Sequence, residues 1–324
     1  MTRWLTDGRS DEQRAQYTAW VEELDRLGPP PTPVELPTDR ALLERLGLHP
    51  VDLDETLATR PDPVRHPELW WLLERSHHQL VAGMGDVRGA RWTAPHLPAE
   101  LGAMGRFFYV HVVLASLPAA LAYHRSRNVS AQMSEEIFAD LGRQVAIHRR
   151  IHGRGGLDVQ FWFGLHCRGL IFSFGRLQFN RGTAWYADAT TPFAQGDLVL
   201  GAHIPESGPM TPEACDESFA RAKKFYATHF PDEPYRYVTC TSWLLDDQLA
   251  EYLPADSNII AFQRRFTLIE DAVSEGDDAV FQFVFRRVKP RLEDLPRRTT
   301  LERAIVDHLE SGRHWRTRTG WLEL

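Results

Sequence analysis

The chain has 324 residues, of which 43% are hydrophobic and 25% are charged, and its formal net charge is -7. This composition is typical of a globular protein and unlike that of a disordered chain. The negative charge argues against nucleic-acid binding, because there is no excess of basic residues to neutralise phosphates.

The three cysteines, Cys167, Cys215 and Cys240, lie far apart in the sequence. They predict neither a disulfide framework nor a zinc site, which fits a reducing compartment. The N-terminus lacks the apolar segment of a signal peptide, so we expect a cytoplasmic protein. The most apolar segment, 107–123, is interrupted by a histidine and a proline, and we expect a buried helix there and no membrane span.

Helical segments dominate the sequence before residue 153. Apolar residues recur in them at helical spacing, and proline or glycine follows most of them. Ser134 is the expected cap of the last one, which glycines from Gly153 onward should end. The predicted helices span 10–27, 39–47, 51–59, 67–82, 98–125 and 134–150.

Strand-like segments begin after Gly156. Residues 170–174 and 177–179 predict two short strands joined at Gly175, and 237–243 is rich in β-branched and aromatic residues. Further strands are expected at 267–269 and 279–285, and further helices at 245–253, 258–266 and 299–310. The expected fold class is α/β (α+β): an all-helical domain at residues 1–135, then a mixed-sheet domain at 136–324 that ends in a helical extension.

Residues 196–230 predict a strand, a turn and a helix. The segment 198–204 is short and apolar, and the prolines that follow cannot continue a strand. Thr211 is the expected cap of the helix, with Pro212 at its first position. A strand that leads through a tight turn into a helix presents unpaired N–H groups and a positive dipole end, which together suit an anion. An ordinary strand–helix connection without a ligand is the alternative.

The common hydrolase, metal and dinucleotide motifs do not occur. There is no G-x-S-x-G and no H-E-x-x-H sequence. The glycines at 83 and 85 are not followed by the third glycine that a dinucleotide-binding motif requires. His77 and His78 are adjacent, so their rings would point about 100° apart on a helix. We therefore expect no bound metal.

The order of elements after residue 170 resembles the GCN5-related N-acyltransferase (GNAT) superfamily. The segment S-N-I-I-A-F-Q-R-R-F at 257–266 is similar to that superfamily's late segment, with matches at Asn258, Ala261 and Phe266. It departs at Gln263 and Arg265, where an aromatic residue and glycine are usual. The chain is also similar to actinobacterial acyltransferase-domain proteins, in which a helical domain precedes a GNAT-like domain.

The chain departs from the superfamily's glycine-rich donor signature. The corresponding loop, 205–211, has a single glycine. A literal match occurs at 150–155, but it follows a helix and precedes the strands, so it is interpreted as a helix end with basic flanks. The resemblance implies that acyl-CoA lies in an opening between strands 198–204 and 237–243. The expected donor contacts are Ile204, Ser207, Gly208, Met210 and Thr211.

Acyl transfer to an amine requires a base that removes a proton and an acid that protonates the leaving thiolate. His203 and Glu206 are the candidate bases at the end of the fourth strand, although a packed histidine and a solvated turn carboxylate are the alternatives. Ser242 and Tyr252 are the candidate acids, and Tyr252 is alternatively a core aromatic residue. Cys240 has no evident paired histidine, so a buried thiol is expected there and not a nucleophile.

The resemblance implies an acyl-CoA-dependent N-acyltransferase that acts on an amine of a small molecule or a peptide. Acyl-CoA, acetyl or longer, is the expected donor, and no metal cofactor is implied. A non-catalytic GNAT-like binding module and a transferase that uses an acyl carrier protein are the alternatives, because fold alone does not decide function. The acceptor, the acyl length and the oligomeric state stay open.

Overall fold

The chain forms two compact units, Met1–Leu170 and Ile171–Leu324. The computed structural model describes residues 3–89 and 92–324. The sequence places the domain boundary at 135/136, whereas the structure places the division 35 residues later. The reason is that helices after residue 135 belong to the helical unit, and the first strand begins only at Ile171.

The first unit consists of helices and their connections. Ser10 forms a capping box at the start of the second helix, and Gly153 ends the eighth in a left-handed conformation, as expected. The helices are α1 (Arg3–Thr6), α2 (Asp11–Leu27), α3 (Arg40–Arg45), α4 (Pro50–Ala58), α5 (Pro67–Ala82), α6 (Gly102–Ser126, preceded by a 3-10 turn at Ala99–Leu101), α7 (Ala131–Phe138), α8 (Asp140–His152) and α9 (Gln160–Cys167).

Ser134 does not cap a helix, contrary to the sequence prediction. The cap of α7 is Ser130, whose hydroxyl accepts from the Met133 N–H at 3.2 Å. Ser134 lies one turn inside α7, where it is buried and within 2.9 Å of His124 Nδ1. The predicted single helix is two helices, because the chain turns at Ala139 between α7 and α8.

Helix α6 lies in the core of the first unit. Among the described residues, one helical segment, Ala99–Ser126, is long and apolar enough to cross a membrane, with a mean hydropathy of 1.4 over its most apolar window. Within the structure 72% of that window is buried, as in the core helix of a globular unit. The predicted buried helix at 107–123 is confirmed. Burial lowers the pKa of His111, on this helix, to about 3.

The second unit is built on a six-stranded mixed sheet with the order β1-β2-β3-β4-β6-β5. Only the β3–β4 pair is parallel among the described pairs; the others are antiparallel. The strands are β1 (Ile171–Ser173), β2 (Gln178–Thr183), β3 (Leu198–His203), β4 (Tyr237–Ser242), β5 (Thr267–Glu275) and β6 (Arg316–Glu323), and the helices are α10 (Pro212–His229), α11 (Asn258–Gln263), α12 (Asp277–Val280) and α13 (Thr300–Glu310). This confirms the expected fold class, a helical region followed by a mixed-sheet domain.

Two predictions near the C-terminus are wrong. The predicted strand at 279–285 is the end of α12 followed by a wider helical turn, because Val280 and Phe285 both face a core cluster that includes Trp315. The chain also does not end in a helical extension: strand β6 follows α13 and inserts between β4 and β5. Strand β6 begins with alternating arginine and threonine residues. This polar pattern does not indicate a strand that lies between two others in the sheet.

Candidate active site

The two parallel strands β3 and β4 separate toward their C-terminal ends. Their pairing is limited to Leu200 with Val238 and Gly201 with Thr239 in the described part of the chain. Beyond those pairs, β3 stays bonded to β2 and β4 stays bonded to β6 on their other sides. The sheet therefore contains the opening between strands that the resemblance implies.

The loop after β3 leads into the N-terminus of α10 and presents backbone N–H groups. Thr211 caps the helix, and its hydroxyl accepts from the Ala214 N–H at 3.3 Å. Gly208 has a φ of 85°, a left-handed conformation that glycine adopts without strain. Within the described residues, no acceptor faces the N–H groups of Gly208, Met210, Thr211 and Glu213. Together with the positive end of the helix dipole, these donors suit a phosphate group.

Arginines hold this loop at three points. Arg176 donates through Nη1 to the Pro205 carbonyl at 2.9 Å, and burial lowers its pKa. Arg265 donates to the Pro212 carbonyl at 3.0 Å and pairs with Asp216. Arg286, in a left-handed backbone conformation, forms an ion pair with Glu206 at 2.6 Å. Carboxylates offset the charges of Arg265 and Arg286, so the attraction of the loop for an anion comes chiefly from its N–H groups and the helix dipole.

His203, the last residue of β3, is held by Asn180 of β2. Asn180 Nδ2 donates to the Arg181 carbonyl at 2.9 Å, which directs its Oδ1 toward His203 Nε2 at 2.6 Å. We assign the proton of a neutral imidazole to Nε2 from this network, so that the lone pair resides on Nδ1. In this tautomer Nδ1 is the basic nitrogen of His203, and a neutral imidazole is the form that a histidine general base requires.

Gly201 allows this contact, because its missing side chain leaves room for Asn180 to cross the face of the sheet. A Cβ at position 201 would collide with Asn180 Oδ1 and lie 3.3 Å from His203 Nε2. The colliding atom is the end of a flexible side chain, so the fold would survive the change. We expect Gly201→Ala to lower kcat about 10-fold by releasing His203 from its orientation, with Tm nearly unchanged. Asn180→Ala should reproduce the effect in steady-state kinetics; full activity in both variants would contradict the role of Asn180.

The other predicted residues lie in different surroundings. Glu206 is exposed and paired with Arg286, and Ser207 is exposed, whereas Ile204 is half-buried. Ser242 ends β4, and its hydroxyl accepts from the Leu244 N–H at 3.1 Å. The structure thus brings His203 and the loop residues to the end of β3, and Ser242 to the corresponding end of β4.

Tyr252 belongs to the core cluster near the C-terminus. Its hydroxyl is 3.0 Å from His308 Nδ1, and the His308 ring stacks on Trp315. Because His308 Nε2 faces the His314 carbonyl at 3.3 Å, Nε2 carries the proton and Tyr252 donates to Nδ1. This arrangement favours the structural alternative for Tyr252.

All three cysteines are buried thiols. Burial raises the pKa of Cys240 to about 12 and also raises the pKa values of Cys167 and Cys215. Since the thiolate is the reactive form, we expect no labelling by a thiol reagent at pH 8 in the folded protein and labelling of three thiols after denaturation. Counting labelled thiols by mass spectrometry checks this; rapid labelling of Cys240 in the folded chain would contradict it.

Two family models match consecutive parts of the chain. The N-acyltransferase N-terminal domain matches residues 37–169, and the GNAT-like C-terminal domain matches residues 171–322. The matches meet where the structure divides into its two units. The class that the fold and the site define is therefore that of GNAT-like N-acyltransferases.

Solved structures of acyltransferases are similar to the whole chain. A mutant acyltransferase in complex with octanoyl-CoA is 43% identical, with a TM-score of 0.89, over 98% of this chain and 97% of that one. An acyltransferase in complex with decanoyl-CoA and teicoplanin is 44% identical, with a TM-score of 0.88, over 98% of this chain and 97% of that one. Another, in complex with CoA and 10C-teicoplanin, is 43% identical over the same shares, with a TM-score of 0.88.

The chain belongs to this family of two-domain N-acyltransferases and is an enzyme, which decides against the non-catalytic binding module. No functionally curated protein sequence matches it.

Sequence reasoning missed Asn180, Gly201 and Arg176 as parts of the site. Asn180 and Gly201 are register partners on adjacent strands, so their joint role depends on pairing between β2 and β3. A glycine two residues before the candidate base was the available signal, because glycine inside a strand often marks a close approach by another group.

Proposed function

We propose that this enzyme transfers a medium-length acyl group from acyl-CoA to an amine of a glycopeptide. The observation that carries the proposal is the opening between β3 and β4, which ends at unpaired N–H groups of the loop before α10. Similar acyltransferases bind octanoyl-CoA, decanoyl-CoA and teicoplanin, which supports both the donor and the acceptor class.

The donor is proposed to bind along the separating strands. Its pyrophosphate would accept hydrogen bonds from the N–H groups of Gly208, Met210, Thr211 and Glu213. Its pantetheine arm would enter the opening, where the backbone of β4 beyond Thr239 has no partner in β3 within the described chain. In this arrangement backbone N–H groups bind the pyrophosphate, although the loop has only one glycine of the glycine-rich signature.

His203 is proposed as the general base. The amine nitrogen attacks the thioester carbonyl carbon, a C–N bond forms, and the C–S bond breaks. His203 Nδ1 takes the proton that the amine loses, directly or through a water molecule. The leaving thiolate gains a proton to become CoA. Of the two predicted acids, we retain Ser242, because the Tyr252 proton is directed to His308.

The test is product analysis after incubation with teicoplanin and acetyl-, octanoyl- or decanoyl-CoA. We expect the mass of the acceptor to rise by one acyl group for each CoA released, and the octanoyl and decanoyl donors to react faster than the acetyl donor. An acceptor whose amines were blocked by prior acetylation is the control and should gain no mass. CoA release without an acylated acceptor, or a preference for acetyl-CoA, would contradict the proposal.

A further inference from the structure

A group of three metal-ligating side chains lies in the first unit, away from the residues described above in the sequence. His148 and His152 are one turn apart on α8, with ring centroids 4.5 Å apart. Asp158 follows the turn after this helix. One ligand atom from each of the three residues lies within 4.8 Å of the others.

After α8 the chain turns back on itself, and Asp158 therefore lies beside the end of that helix. Gly153 ends α8 with a φ of 69°, and the Leu157 N–H donates to the Arg106 carbonyl at 3.1 Å. At Gly156, with a φ of 157°, a Cβ would lie 2.7 Å from His148 Cε1 and 2.8 Å from Nε2. Only glycine lets the backbone lie this close to the imidazole, and the result is that Asp158 faces both histidines.

The hydrogen bonds of His148 leave a lone pair directed at Asp158. Its Nδ1 is 2.7 Å from the Arg154 carbonyl, which can only accept, so Nδ1 carries a proton. In the neutral ring, Nε2 is then an acceptor, and it lies 3.4 Å from Asp158 Oδ1, another acceptor. A cation bound between these two acceptor atoms would interact favourably with both. A ligating histidine commonly donates its other N–H to a backbone carbonyl in this manner.

Asp158 also faces the second histidine, at 2.6 Å between its Oδ2 and His152 Nε2. His148 is almost fully buried, whereas His152 and Asp158 are about one-third exposed at their side chains. The site thus has one buried ligand and two ligands that solvent can reach. It borders a cavity of about 70 Å³ that Arg106, His148 and Asp158 help to line.

Two nearby arginines, Arg106 and Arg149, are paired with carboxylates. Arg106 donates to the Gly155 carbonyl at 2.8 Å and to Glu55 at 2.9 Å. Arg149 donates to Asp52 and, at 3.2 Å, to Glu55. These carboxylates offset the charges of Arg106 and Arg149, which would otherwise oppose a divalent ion beside Asp158.

We propose that His148, His152 and Asp158 bind a divalent transition-metal ion that fastens residues 153–158 to the end of α8. Two imidazoles and one carboxylate, with a remaining position for water, suit tetrahedral Zn²⁺. The three ligands join the turn before α9 to α8, and the proposal assigns the ion no part in the acyl-transfer step. It stands independently of the proposed function, because its residues and its readouts differ from those of acyl transfer.

The experiment is a calorimetric titration of the chelator-treated full chain with ZnCl₂, followed by thermal unfolding. We expect saturable binding of one Zn²⁺ per chain and a rise in Tm on the order of 5 °C at a large excess over Kd. Co²⁺ in place of Zn²⁺ should give the visible absorption of a four-coordinate site.

Three variants locate the binding. His152→Ala and the nearly isosteric Asp158→Asn should weaken Zn²⁺ binding roughly 100-fold. His49→Ala, which removes an exposed histidine elsewhere in the same unit, should leave the affinity unchanged. The proposal is overturned if the parent chain does not bind Zn²⁺, or if both Asp158→Asn and His152→Ala bind as the parent does. In either case the three residues form only an ion-paired cluster.

Discussion

His203→Ala is expected to lower kcat for acyl transfer by about 100- to 10,000-fold, the range by which a positioned base accelerates proton transfer. The loss should fall on kcat and not on donor affinity, because His203 lies at the end of β3, before the loop whose N–H groups are assigned to the phosphates. Steady-state kinetics with decanoyl-CoA and a fixed acceptor measures both quantities.

Glu206→Gln serves as the matched control for the alternative base. Its carboxylate is exposed and paired with Arg286, so we expect a change in kcat of less than about 5-fold from this variant. If His203→Ala keeps full activity with an unchanged pH profile, the assignment of the base is wrong. If Glu206→Gln shows the larger loss, the base is Glu206.

Gly142→Ala is expected to lower the free energy of unfolding of the first unit by about 3 kcal/mol, as overpacking against a rigid neighbour does. A Cβ at this position of α8 would lie 2.6 Å from Gly47 Cα and collide with the Gly47 carbonyl group. The Gly142 N–H also donates to the Leu46 carbonyl at 3.0 Å, so the two backbones cannot separate without losing that bond. The expected fall in Tm is on the order of 6–12 °C.

Gly8→Ala is the matched control for this stability prediction. Gly8 is exposed, and a Cβ there would meet no atom within 4 Å. Its φ of 72° still disfavours alanine, so we expect a cost of about 1 kcal/mol from backbone conformation alone. Thermal unfolding of both variants separates the two causes. Equal shifts in Tm would show that the contact between Gly142 and Gly47 is not what destabilises the protein.

Local features of the sequence predicted the parts of the fold that local interactions decide. Thr211 caps the helix that it was expected to cap, because the side-chain acceptor and the N–H it satisfies are three residues apart. Gly153 ends α8 as expected. The basic segment around it is a helix end, as the sequence predicted.

Features that depend on distant residues were not predictable in the same way. Strand β6 joins the sheet between β4 and β5, and nothing within its eight residues indicates those neighbours. The contact between Asn180 and His203 requires the register of β2 and β3. Asp158 faces His148 only because of the turn at Gly156, so the sequence alone did not bring these side chains together.

The most direct test of the donor site is amide hydrogen exchange of the loop before α10, measured with and without saturating CoA. The account predicts slower exchange in a peptide that spans 204–215, because the N–H groups of Gly208, Met210, Thr211 and Glu213 would bond to the pyrophosphate. The N-terminus of α13, whose capping box already satisfies Glu302 and Thr299, should be unaffected. Binding of CoA without any change in exchange at 204–215 would place the donor elsewhere and contradict the account.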